Sequence, residues 1–153
     1  KGKTYSIKLM EEVIKTLAID FHVFLFGGGE KEEIELDELS NKYPNVVNLA
    51  NKYTLDQQMD VISNLEIMIS MDSSNGHVAA LLGVKVLTIW GLTHPYAGFS
   101  PYGQSKENNI LVDRSLFPKI PTSIYGNKSP AGYDNAINTI TTQEIINRVR
   151  ELI

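Results

Sequence analysis

The sequence predicts an α/β fold built on a doubly wound, mostly parallel sheet, and three observations carry that prediction. Short apolar runs alternate with stretches of helical spacing through about five units. The runs 67–71 and 86–90 are almost continuously apolar, as in parallel strands covered on both faces. Turn residues stand where these runs end, at Gly27–Gly29, Asp72–Ser74 and Gly91. In such a sheet, ligands bind beyond the carboxyl ends of the strands.

In chain order, Ile7, Met10, Val13, Ile14 and Leu17 recur at amphipathic spacing and predict a helix over 6–17 with Ser6 as N-cap. The run 22–26 is a strand broken by Gly27, Gly28 and Gly29, and Ile34, Leu36 and Leu39 place a helix over 31–41. Pro44 and Asn45 turn the chain into a short strand at Val46–Val47. Thr54 and Gln57 match a capping box opening a helix over about 55–64. The strand 67–71 leads into a helix over 75–82 that Gly83 ends, and 86–90 is the next strand. Residues 92–104 read as a loop and 110–112 as an edge strand. The stretch 113–135 is irregular, with Pro118, Pro121 and Pro130, and loops of that length are usually functional or cover something. Thr141 and Glu144 match a second capping box, opening a closing helix that runs to Leu152.

The totals exclude several classes. The chain has 153 residues, 42% of them hydrophobic and 21% charged, enough for one domain with a proper core. A net charge of -4, with 14 Lys and Arg dispersed along the chain, argues against nucleic acid as a partner. The absence of Cys removes disulfides, Cys-ligated metals and a thiol nucleophile, and fits a cytoplasmic setting. No apolar run approaches the roughly 20 residues of a membrane span, so direct membrane insertion is not expected. The chain starts at Lys1 and not at Met, from which a longer polypeptide is expected. No zinc-protease, nucleophile-elbow or Walker A motif is present.

Three turns at predicted strand ends are candidate sites. Asp72, Ser73, Ser74, Asn75, Gly76 and His77 place hydroxyls, backbone N–H groups and a helix N-terminus at the end of one strand, a set suited to a diphosphate. The competing reading makes Asp72 or Ser73 a plain helix cap and His77 a polar filler. The turn from Gly27 to Glu30 brings backbone close to a nucleotide, with Glu30 as acceptor for a ribose hydroxyl, or is simply a tight turn with acids at a helix N-terminus. It does not fit the dinucleotide fingerprint, because Glu32 stands where that pattern needs Gly. Thr93, His94, Pro95 and Tyr96 lie in a loop that reaches back over the Asp72 turn, or one whose turn residues serve only themselves. Tyr96, Phe99 and Tyr102 are candidates for an interface with another domain, Trp90 reads as core, and His22 as structural.

The run from Ser70 to Tyr96, Ser-Met-Asp-Ser-Ser-Asn-Gly-His-Val-Ala-Ala-Leu-Leu-Gly-Val-Lys-Val-Leu-Thr-Ile-Trp-Gly-Leu-Thr-His-Pro-Tyr, resembles the signature of family 9 glycosyltransferases, the ADP-heptose:lipopolysaccharide heptosyltransferases and their relatives. The resemblance extends from Lys3-Thr-Tyr-Ser6 through the Glu30 turn and the start of the helix after Tyr53, covering about 1–104 well and the tail loosely. It implies the C-terminal, donor-binding half of a two-domain GT-B enzyme with Rossmann-like domains. Residues 1–153 would then be one domain, lacking the N-terminal acceptor domain that supplies the base, and inactive alone. It also implies that Lys3 neutralises the donor diphosphate, that the acid near Glu30 holds the ribose, that the segment around Tyr53 and Thr54 lines the base, and that Asp72, Ser73, Ser74 and His77 sit on the phosphates and sugar, with Gly28 and Thr93 also among the donor-binding residues. The implied partners are a nucleotide sugar, with an ADP-sugar favoured, the N-terminal domain and a glycolipid acceptor, at the inner face of the bacterial inner membrane. No cofactor or metal is implied.

Two departures from the pattern stand out. Ser74 replaces a glycine found in many relatives, and Lys119 to Ala136 holds none of the cysteines that some relatives carry. A nucleotide-sugar epimerase of the same architecture, and a non-catalytic binding module, are the alternative functions.

Overall fold

The computed structural model describes residues 2–153. The described residues form five α-helices and five strands, alternating up to β4: α1 (Ile7–Leu17), β1 (Val23–Leu25), α2 (Glu30–Lys42), β2 (Val46–Asn48), α3 (Leu55–Ser63), β3 (Ile67–Met71), α4 (Ser74–Leu81), β4 (Lys85–Trp90), β5 (Asn109–Leu111) and α5 (Thr142–Leu152). Every pairing is parallel, as the apolar runs predict. Thr54 and Gln57 form the expected reciprocal capping box. At α5 only half of the box forms: Thr141 accepts from the Glu144 N–H. Ser6 stands at the N-cap of α1, yet its hydroxyl caps nothing, and its N–H donates instead to Asn138 Oδ1 at 2.9 Å. The last strand is shifted one residue earlier than expected.

The strands form two blocks, β1-β2 and β3-β4-β5, where the sequence pattern suggests one sheet. β4 is the true centre. Leu87 and Ile89 pack among α1 and α5 with Val13, Ile145 and Val149, while Val86 faces the opposite layer with Ile62, Ala79 and Ala80 of α3 and α4. That is the doubly wound arrangement. β3, although almost continuously apolar, is only half-buried and alternates along its length, because one of its edges is open. A third cluster joins α1 and α2 to β1 and β2 through Ile14, Leu25, Leu36 and Val46.

β1 begins on the same edge as β3 and β4. Asp20, just before β1, pairs with Arg150 of α5 at 3.1 Å, and Lys85 at the start of β4 reaches the Leu152 carbonyl of the same helix. All strands therefore end on one rim. No helix among the described residues is long and apolar enough to cross a membrane.

Gly76 lets α4 lie against β3, because a Cβ there would stand 2.7 Å from Ser70 Oγ in a buried position. Gly76→Ala is expected to destabilise the fold by about 1–3 kcal/mol, the usual cost of overpacking. In thermal denaturation this appears as a lower Tm with the helical signal of the native state retained.

Candidate functional site

The rim gathers the ends of β1, β2, β3 and β4 and the start of α1. At its middle, the Lys3 ammonium contacts Asp72 Oδ2 at 2.6 Å, and the Thr93 hydroxyl donates to the same oxygen at 2.9 Å. The Asp72 side chain is 9% exposed, the Lys3 side chain 33%, and Thr93 is buried. These three residues come from the segment before α1, the turn after β3 and the loop after β4. An ammonium has three donors and Asp72 occupies one, so the more exposed Lys3 retains donor capacity toward the solvent side.

The cap reading of this turn does not hold. Ser73 stands at the N-cap of α4, but no side-chain cap bond forms, and its hydroxyl lies 3.0 Å from Ser70 Oγ. Asp72 is committed to Lys3 and Thr93. The first N–H groups of α4 are therefore left facing the rim, beside a lysine, which is the arrangement of an anion site. Ser74 opens the helix and is exposed, and His77 follows within its first turn, partly buried.

The other predicted residues stand on the same rim without touching this cluster. Glu30 is the first residue of α2 and is exposed at the end of β1. The Gly28 N–H is already taken by Glu32 Oε2 at 2.8 Å. Tyr53 is exposed beyond the end of β2, and the Thr54 hydroxyl caps α3.

The long loop supplies a part that residue-by-residue reading missed. Thr122 N–H donates to the Leu92 carbonyl, and Leu92 N–H donates to the Gly2 carbonyl, both at 3.0 Å. Gly126, at φ +63°, sits where a Cβ would lie 2.7 Å from Thr93 Cγ2 and 2.8 Å from Lys3 Cε. The loop thus packs directly against Lys3 and Thr93. The length of the irregular stretch 113–135 signalled a covering or functional loop, but nothing local singled out Gly126 as its point of contact.

His94 is buried and serves its own turn: Nδ1 accepts from the Tyr96 N–H at 3.2 Å, and the two rings lie 4.6 Å apart. Trp90 is core, as expected, and its indole N–H donates to Asn109 Oδ1 at 2.6 Å. Tyr96 and Tyr102 are each 81% exposed, and the rings of Phe99 and Tyr125 lie 5.8 Å apart.

The profile of glycosyltransferase family 9 (heptosyltransferase) matches residues 1–126. The chain belongs to this family. Lipooligosaccharide heptosyltransferase 2 of Haemophilus influenzae is 26% identical over 138 residues, covering 87% of this chain and 38% of that protein. The structure of E. coli ADP-heptose LPS heptosyltransferase II superposes with a TM-score of 0.73 at 22% identity, covering 99% of this chain and 42% of that one. E. coli heptosyltransferase WaaC with ADP gives a TM-score of 0.71 at 19% identity, covering 100% and 41%. These similarities support the same α/β fold. This family 9 chain spans about two fifths of the length of each of these relatives.

Burial, and secondarily the Arg114 guanidinium, hold the His94 pKa below its ordinary value. Because the folded-state pKa lies beneath the unfolded one, the unfolded chain takes up the proton first as pH falls. Stability is therefore expected to drop as pH passes below about 6.5. Thermal melts at about pH 7.5 and about pH 5.5 should show a larger loss of Tm for the natural chain than for His94→Gln.

Proposed function

We propose that this chain is the donor-binding domain of a glycosyltransferase that moves a sugar from a nucleotide-diphosphate sugar, an ADP-sugar by preference, to a lipopolysaccharide or related glycan. The observation that carries this reading is the Lys3–Asp72–Thr93 cluster beside the open N-terminus of α4, supported by family membership.

In this reading the diphosphate lies across the rim. Lys3 donates to its oxygens, and Asp72, itself held by Thr93, is a positioning residue that keeps the ammonium in place. The acceptor hydroxyl oxygen bonds to the anomeric carbon while the bond from that carbon to the diphosphate oxygen breaks, its electron pair leaving with the nucleotide. Negative charge grows on that oxygen, and the α4 N–H groups and Lys3 stabilise it where it develops. The acceptor proton passes to a base from an N-terminal domain of the same polypeptide. Glu30 accepts from the ribose hydroxyls, Gly28 lets that part of the nucleotide approach, Tyr53 and Thr54 border the base, and Ser73, Ser74 and His77 flank the phosphates and sugar. No metal is required in this scheme, because Lys3 and the backbone donors carry the charge neutralisation. The complete enzyme works in the cytoplasm at the inner face of the inner membrane.

Calorimetric titration of ADP and of ADP-heptose into the longer polypeptide that carries this chain tests the donor site. Binding of both is expected, with Lys3→Met weakening it about 10- to 100-fold, the worth of one charge-assisted contact. Failure of both ligands to bind at millimolar concentration would sink the donor reading. A second expectation concerns turnover: residues 1–153 alone should release no ADP from ADP-heptose in the presence of acceptor, whereas the longer polypeptide should.

A further inference from the structure

A cavity of about 490 Å³ lies between the loop after β4 and one face of β5. The backbone at His94 is extended, with φ -153° and ψ 145°, so the side chains of Thr93 and His94 leave it on opposite sides. Thr93 bonds Asp72, and His94 lines this cavity instead. The same alternation holds along β5: Ile110 packs into the core with α1 and α5, while Asn109 and Leu111 face the cavity.

The polar groups along its wall divide into engaged and free ones. Gln104 Oε1 accepts from the Val86 N–H at 2.8 Å, and its amide donates to the Val84 carbonyl at 3.1 Å. Asn109 Oδ1 accepts from the Trp90 indole, and its amide donates to the Ser105 and Lys106 carbonyls. These two side chains fix the segment 104–109 against β4. His94, Lys106 and Arg114 are the free ones. His94 Nδ1 accepts from the Tyr96 N–H, and this hydrogen bond assigns the proton of the neutral ring to Nε2. Nε2 has no partner among the described residues, yet no fully buried side-chain nitrogen or oxygen there is left unsatisfied, so the Nε2–H opens into the cavity. The residue itself is only 4% exposed, a donor held in a closed wall. Neither Lys106 nor Arg114 forms an ion pair among the described residues. Asp113, next to Arg114, accepts from the Ser115 N–H at 2.8 Å instead. No Asp or Glu lines the cavity, in a chain that has 18 of them and a net charge of -4.

We propose that this cavity binds a sugar carrying a phosphate or a carboxylate. Arg114 and Lys106 meet the oxyanion, the guanidinium through paired N–H groups, and the His94 Nε2–H adds a neutral donor beside them. A bare anion would leave most of the space empty, since the volume falls within the range of about 300–1,000 Å³ typical of small-molecule sites. The remaining wall suits the C–H face of a sugar ring. Pro95 and Leu111 are apolar, and the Tyr96 ring, tilted against His94 at 4.6 Å, joins an apolar face to a polar tip. The inference rests on this cavity alone and stands apart from the donor reading, which uses Lys3 and Asp72 on the other side of the loop.

Calorimetric titration of glucose 1-phosphate, glucuronate, methyl glucoside and inorganic phosphate into the longer polypeptide that carries this chain tests it. Both acidic sugars should bind in the millimolar range or tighter, with methyl glucoside and inorganic phosphate each at least about 10-fold weaker. The double variant Lys106→Gln, Arg114→Gln changes only exposed residues and should keep its Tm while losing about 10- to 100-fold in affinity for the acidic sugars. In nitrogen-15 spectra of the histidine rings, the His94 Nε2 resonance, assigned by its loss in His94→Gln, should shift when glucose 1-phosphate is added. Vesicles of phosphatidylcholine with monophosphoryl lipid A distinguish the two sources of such a group. Co-sedimentation that glucose 1-phosphate reverses assigns the site to a glycolipid headgroup, and binding of the free sugars without co-sedimentation assigns it to a soluble sugar; either result supports the proposal. Absence of binding by both acidic sugars, equal binding of methyl glucoside or of inorganic phosphate, or an unmoved His94 resonance would overturn it. So would weakening by Lys3→Met but not by the double variant, because the anion would then sit at the Asp72 cluster.

Discussion

A carboxylate that is nearly out of water needs a charge partner and a second hydrogen bond, and Asp72 obtains both from segments far away in sequence. Lys3 and Thr93 meet on a single oxygen, Asp72 Oδ2. Breaking such a pair strands a buried charge, which is far more costly than the net worth of the pair itself. The strand end after β3, the approach to α1 and the loop after β4 are thus held in one arrangement. The parallel register, with Met71 opposite Ile89, brings Asp72 and the loop carrying Thr93 to the same level of the sheet.

Three close backbone approaches serve this point. Gly76 seats α4 on Ser70, Gly91 admits the Gly2 carbonyl, and Gly126 presses the long loop against Lys3 and Thr93. In each case a Cβ would meet an atom at 2.8 Å or less, so the absence of a side chain is a steric requirement. Packing α4 tightly also aims its first N–H groups at the rim. With the Ser73 hydroxyl turned toward Ser70, those groups stay open to a ligand. All three glycines lie within residues 1–126, the part of the chain that matches the family 9 profile.

Much of the candidate site was legible because local pattern and chemistry agree there. An apolar strand followed by Asp72, Ser73 and Ser74 and then a helix leaves few readings, and the family signature chose among them. Local pattern could not decide whether Asp72 caps α4, since capping and ion pairing use the same side chain type; the distances to Lys3 and Thr93 decide it. The Gly28 N–H is engaged with Glu32, a contact that local pattern did not show, whereas the Thr54 hydroxyl caps α3 through Gln57 as the capping box predicts. The part played by residues 122–126 was not legible. It depends on contacts across about 120 positions of sequence, which no local rule reports.

By itself the sequence determined the element types and their order, the parallel sense of the strands, the capping box at Thr54 and the strand end on which the proposed anion site lies. These follow from periodicity and turn chemistry, which act within a few residues. Tertiary structure alone decided that β4 and not β3 is the buried centre, that the strands stand in two blocks, and that Lys3, Asp72 and Thr93 share one oxygen. Those outcomes are set by which edges find partners and how closely backbones approach. Such constraints arise only once distant segments occupy the same space.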